Sequence, residues 1–141
     1  MIGLDTNVIV RALVDDDPEQ SAAARGLLCT LTPGNPGFVG LIVLVETIWV
    51  LRNTYHYSDQ AIRGVVGRLL EAADLVIEQA DLVRRALGVA QDTNRELPDI
   101  LIALSADQAG CDKTITFDRR ATSIPGMELL KVSGGFGTLA S

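Results

Sequence analysis

The sequence predicts an α/β protein: a three-layer α/β/α arrangement around a central parallel sheet of four to five strands, in a single domain over residues 1–141. Two observations carry this expectation. Short apolar runs alternate along the chain with segments whose apolar residues recur at helical spacing, the pattern of strands joined by crossover helices. The chain is also 48% hydrophobic over 141 residues, enough to bury a core without disulfides or a structural metal, and no repeat, low-complexity tract or linker divides it.

Each element has a local reason. Residues 1–5 read as a short strand, and the helix after them carries Val8, Ile9, Ala12 and Leu13 on one face. Asp15, Asp16 and Asp17 form a solvated turn, with Asp17 as N-cap and Pro18 at the first position of a helix reaching Thr30. TPGNPG is a loop. Phe38 to Leu41 reads as a buried strand leading into a helix through VLVETIWVLRNTY. Ser58 caps an amphipathic helix through Leu70, DLVIE is a strand, and Ala80 to Thr93 returns to helical spacing with Leu82, Val83, Ala86, Leu87 and Ala90. Pro98 opens another helix, which Gly110 ends. TITF is a strand running into DRRA, and SIPGMELLKV supplies a last edge strand.

Four acids stand out within these segments: Asp5 in LDTNVIVRAL, Glu46 in LIVLVETIWVL, Asp99 in PDILIALSADQAG and Asp118 in TITFDRRA. An unpaired carboxylate is costly to bury, so acids stay off apolar faces unless something binds them. Three of the four have an ordinary explanation: Asp5 as a helix N-cap, Asp99 as a first-turn acid facing the helix dipole, and Asp118 as a strand-ending turn residue. Glu46 has none, being the only charge between Phe38 and Leu51, and its apolar neighbours predict burial. Ligands of open parallel sheets bind beyond the carboxyl ends of the strands. Asp5 and Asp118 stand at such ends, and Glu46 and Asp99 fall in early turns of helices starting from the same edge. A shared ligand is therefore expected, and a hard divalent cation, Mg²⁺ or Mn²⁺, prefers such oxygen donors. Asp107, on the same helix as Asp99 but on another side, is a surface acid.

Composition sets the surroundings. A formal net charge of −6 excludes a broad basic surface that coats nucleic acid, a mode built on many phosphate neutralisations. Local contact remains open: ten of the twelve basic residues are arginine, and Arg11, Arg52, Arg119 and Arg120 follow closely on three of the four acids, where guanidinium groups can hold phosphates. Cys29 and Cys111 form no C-x-x-C pair and fit a reducing cytosol. MIGLDTNV has no basic stretch ahead of a hydrophobic one, so no secretory signal is read there, and the apolar run Phe38 to Leu51 is too short to span a bilayer comfortably. A soluble cytoplasmic protein is expected.

The order and local context of the four segments resemble a PIN domain, the metal-dependent ribonuclease fold found in VapC-type toxins of toxin–antitoxin pairs. LDTNVIVRAL resembles the family's opening strand and helix, with Asp5 as first acid and Thr6 and Asn7 as its companions. VLVETIWVL resembles the second motif through Glu46. RELPDILIAL is similar to the third, with Asp99 as its acid and Glu96 in the place of an auxiliary acid; Leu97 and Pro98 depart from the aromatic and small residues usual between them. TFDRRA resembles the fourth, with Thr116 and Asp118 in a T-x-D pattern. The resemblance implies that Asp5, Glu46, Asp99 and Asp118 are catalytic and hold Mg²⁺ or Mn²⁺, with Glu96 as a further candidate ligand. It also implies that Asn7 and Thr116 orient the acids or substrate, that the substrate is single-stranded or looped RNA, and that the partners are a second copy in a homodimer and a small antitoxin.

One or two such ions can activate a water against a phosphodiester phosphorus and stabilise charge on the leaving oxygen, so no protein nucleophile is needed. The single histidine, His56, in NTYHYSD, has no Ser or Cys motif near it and reads as a surface or structural residue. Two other readings stay open. LDTNV is also similar to the nucleophile motif of haloacid-dehalogenase-like phosphatases, with Asn7 where that pattern has its second aspartate; that reading predicts an aspartyl-phosphate intermediate. The other is a non-catalytic PIN-like interaction module.

Overall fold

Five short strands and six helices alternate along residues 1–132, the part of the chain that the computed structural model describes. The single domain expected over residues 1–141 includes 133–141, which lie outside the described residues. In order the elements are β1 (Ile2–Gly3), α1 (Thr6–Leu13), α2 (Pro18–Thr30), β2 (Gly37–Val39), α3 (Leu41–Asn53), α4 (Asp59–Glu71), β3 (Leu75–Ile77), α5 (Ala80–Thr93), α6 (Leu97–Gln108), β4 (Thr114–Thr116) and β5 (Met127–Leu129). A 3₁₀ turn, Arg119–Ser123, lies between the last two strands.

The helix boundaries follow local chemistry. The Asp17 carboxylate accepts from the Gln20 N–H at 3.1 Å with Pro18 opening α2, and the Ser58 hydroxyl accepts from the Ala61 N–H at 3.1 Å to open α4. Gly110, at φ +93°, takes the left-handed conformation that closes α6. Helix α3 starts and stops two residues earlier than expected, at Leu41 and Asn53, because Gly40 serves as its N-cap.

Every strand pair is parallel, as the alternating pattern predicts. Two helices carry each crossover from β1 to β2, β2 to β3 and β3 to β4, whereas β4 reaches β5 through residues 117–126 alone. The strands hydrogen-bond as two ladders, β1-β2-β3 and β4-β5, rather than in one sheet of four to five. Strand β1 is two residues long, short for carrying partners on both edges. Its backbone is joined to the β2 side by Ile2 N–H to Pro36 O and Leu4 N–H to Phe38 O, both 2.9 Å.

The core is formed where the helices meet the strands. Leu4, Val39 and Ile77 pack against Leu44, Ile48 and Leu51 of α3, Ile62 and Val66 of α4, Val83 and Ala86 of α5, and Ile100 and Leu104 of α6. One expected face is corrected. On α1 the buried residues are Thr6, Ile9 and Val10, while Val8, Ala12 and Leu13 are only partly covered. The helix packs on both α2 and α3, so its buried surface is split rather than a single stripe.

Candidate active site

Asp118 lies just beyond the carboxyl end of β4, where the chain turns into Arg119–Ser123. Its placement is local and well fixed. The Thr116 hydroxyl oxygen accepts from the Asp118 N–H at 3.0 Å, and Asp118 Oδ1 accepts from the Arg120 N–H at 2.9 Å. The bond to Thr116 fixes the backbone of Asp118, and the turn-capping explanation of Asp118 is real. Asp99 sits in the first turn of α6, and Asp99 and Asp118, both half-buried, line one recess of about 100 Å³. Asp59, Asn94, Arg95, Glu96, Arg120 and Ala121 complete its wall.

Glu96 is thus brought to the same recess, whereas Asp5, Asn7 and Glu46 are not among the residues that line it. Asp5 occupies the N-cap position of α1, yet its side chain makes no capping hydrogen bond; the cap is made by its backbone oxygen, which accepts from the Val8 N–H at 3.1 Å. Its exposed carboxylate makes no hydrogen bond to the first turn of α1 and so is not explained by capping. Asn7 lines a different groove, between α1 and α2, with Val8, Arg11 and Leu27. Glu46 requires a correction: it is exposed, not buried. Helix α3 is apolar all round; it buries Leu44, Thr47, Ile48 and Leu51 and leaves Ile42 (83% exposed) and Trp49 (60%) beside Glu46 on the outer face. The burial cost that singled it out does not apply, and an exposed apolar groove lined by Leu41, Ile42, Val45 and Trp49 surrounds it instead.

Sequence reasoning missed how the acidic recess is balanced. Arg52, in the last turn of α3, bonds through Nη2 to the Asp59 carboxylate and stands 2.5 Å through Nη1 from Glu96 Oε1. Asp59 lies in the first turn of α4, and only the approach of α3 to α4 shows its pairing with Arg52. Arg95 lines the recess with its Nε buried and without a hydrogen-bond partner among the described residues. Arg120 Nε lies 3.6 Å from Asp118 Oδ1. Asp107 is exposed, 3.8 Å from Arg85, and His56 is an exposed residue at φ +57°, both in line with the surface roles read for them.

Arg11 takes no part in the recess. It donates to Asp16 at 2.7 Å, Gln20 at 2.9 Å and the Tyr55 hydroxyl at 3.1 Å, and Tyr55 donates to Asp16 at 2.6 Å. The Tyr55 hydroxyl bond, and then the Arg11 contact, hold the Asp16 carboxyl below its ordinary value; the bond to Asp16 holds the Tyr55 phenol above its own.

Among the described residues no three acidic, histidine or cysteine side chains stand together in a geometry that holds a metal ion. The pair Asp99 and Asp118 still suits a hard cation, since Mg²⁺ keeps several waters and takes only one or two protein carboxylates beside substrate phosphate. Thr116 holds one of the two in place. A cage made of all four acids is not assembled.

A parallel α/β fold with carboxylates gathered past a strand end defines a class in which the ligand site lies at the carboxyl edge of the strands. The sequence profile of the PIN domain matches residues 2–126, most of the chain, and the protein belongs to the PIN-domain family. That family is assigned to nucleases, and its members typically bind a divalent metal. No curated protein matches the chain. Among the described residues no helix is long and apolar enough to cross a membrane.

Proposed function

We propose that this protein is a metal-dependent endoribonuclease that hydrolyses RNA phosphodiester bonds in the cytoplasm as the toxin of a toxin–antitoxin pair. The observation that carries the nuclease reading is the convergence of Asp99 and Asp118 on one recess, with Arg120 beside them. Asp99 and Asp118 would hold Mg²⁺ or Mn²⁺, which supplies Lewis acidity for phosphoryl chemistry. Thr116 keeps Asp118 aimed, and Arg120, 77% exposed in its side chain, offers a guanidinium to a phosphate oxygen at the mouth. Asp5, Glu46 and Asn7 would act on substrate arriving along the same edge. Membership of the PIN family leaves the phosphatase alternative without support.

The partners belong to the same proposal: a second copy of the chain, and a small antitoxin. The exposed Ile42 and Trp49 around Glu46 supply apolar surface of the kind that a protein partner covers. The absence of a three-ligand metal cluster among the described residues keeps one competitor, a non-catalytic PIN module. The deciding assay is cleavage of a structured RNA with Mg²⁺ or Mn²⁺, with and without EDTA, by wild type, Asp99→Asn and Asp5→Asn. Metal-dependent cleavage that drops by about 100-fold or more in folded Asp99→Asn supports the nuclease. Cleavage undiminished in EDTA sinks the mechanism, and no cleavage with no Mn²⁺ binding supports the module.

A further inference from the structure

Arg52 is placed to decide which acids can serve a cation. Its two terminal nitrogens engage acids from two other elements: Nη2 bonds to Asp59 at the start of α4, and Nη1 lies 2.5 Å from Glu96 at the N-cap of α6. Both acids face the recess that holds Asp99 and Asp118, although Arg52 itself does not line it. The guanidinium is mostly covered, with its side chain 24% exposed, so the pairing is less screened than at an open surface. Planar and always charged, it can grip two carboxylates at once, which a lysine cannot reproduce. Glu96 makes no side-chain hydrogen bond to the first turn of α6, and its paired carboxylate thereby fixes the entry of the helix that carries Asp99 three residues on.

We infer that Arg52 is a positioning residue that removes Glu96 from the metal-binding set and anchors α6, leaving Asp99 and Asp118 to hold the cation. This rests on the metal-dependent reading above. It differs from that reading in assigning Glu96 to the scaffold and in giving Arg52 a role in the site's selectivity for its ligands.

The test is calorimetric titration of the intact chain with Mn²⁺ in wild type, Glu96→Gln, Arg52→Gln and the double variant. Wild type and Glu96→Gln should bind with affinities within about twofold, because a paired Glu96 contributes no ligand. Arg52→Gln frees Glu96 and should bind more tightly by about fivefold or more, and the double variant should lose that gain. Arg52→Lys, which keeps a charge but grips one carboxylate at a time, should fall between, and it replaces Arg52→Gln if the latter does not fold. A loss of about tenfold or more in Glu96→Gln shows Glu96 to be a ligand and overturns the inference while the metal reading stands. A gain that persists in the double variant does not come from Glu96, being the loss of a positive charge or the release of Asp59, and also overturns it. Wild type that binds no Mn²⁺ overturns the metal reading, and this assignment with it.

Discussion

At the scale of single residues, Glu46 shows how exposure separates function from stability. Surface substitutions usually change stability by no more than about 0.5 kcal/mol, and Glu46 is exposed with its apolar neighbours Ile42 and Trp49. Glu46→Gln should therefore leave the thermal midpoint within about 1–2 °C of wild type while RNA cleavage falls by about tenfold or more. Unchanged cleavage in that variant would remove Glu46 from the site. Asp16 offers the converse case, a residue with a structural task only. Its carboxyl is held below its ordinary value by the Tyr55 hydroxyl and Arg11, so the native state binds its proton less readily than the unfolded chain. Whatever stability it contributes is present above the ordinary carboxylate range and is lost as pH falls through the lowered native value. Wild type should be more stable than Asp16→Asn at pH 7, and the two should converge at the acid end of a denaturation series. A difference that does not shrink in acid would mean the charge of Asp16 is not what stabilises.

At the scale of elements, β2 holds the glycine with the least room among the described ones, Gly37. It is the central strand of its ladder, and a Cβ added at Gly37 would stand 2.8 Å from Leu4 Cδ1, 2.9 Å from Leu31 Cδ1 and 3.0 Å from Leu75 Cδ2. Leu4 and Leu31 are buried, which limits how far they can swing aside. Gly37→Ala should cost about 1–3 kcal/mol through overpacking, read as a lowered urea midpoint with an unchanged slope. Gly26 is the control, because a Cβ there meets nothing within 4 Å and the glycine is helical, so Gly26→Ala should be neutral or stabilising. Equal effects of the two substitutions would contradict the packing argument.

At the scale of the whole molecule, charge limits how RNA is held. With a net charge of −6 and few arginines near the recess, binding should rest on two or three phosphate contacts rather than on a basic surface. The RNA affinity of the cleavage-deficient Asp99→Asn variant should then fall by no more than about twentyfold between 50 and 200 mM salt, following the single-strand slope of about 0.7 per contact. A steeper loss, measured by fluorescence anisotropy, would reveal a contact surface that the described residues do not present.

What the sequence determined by itself is what local chemistry dictates. Asp17 with Pro18, Ser58 and Gly110 mark helix ends because caps and left-handed turns act within a few residues, and the alternation of apolar runs with helical periods was enough for a parallel α/β fold. That Asp118 ends a strand in a turn was legible for the same reason. Tertiary structure decided the rest. An apolar helix such as α3 does not announce which stripe faces the core, so Glu46 read as buried and is exposed. The division into two ladders depends on which strand edges meet, and the Arg52 bridge to Asp59 and Glu96 joins three helices whose residues are up to 44 apart in the chain numbering. Pairings of that kind depend on how helices pack, and side-chain reach across a packed interface leaves no periodicity to read.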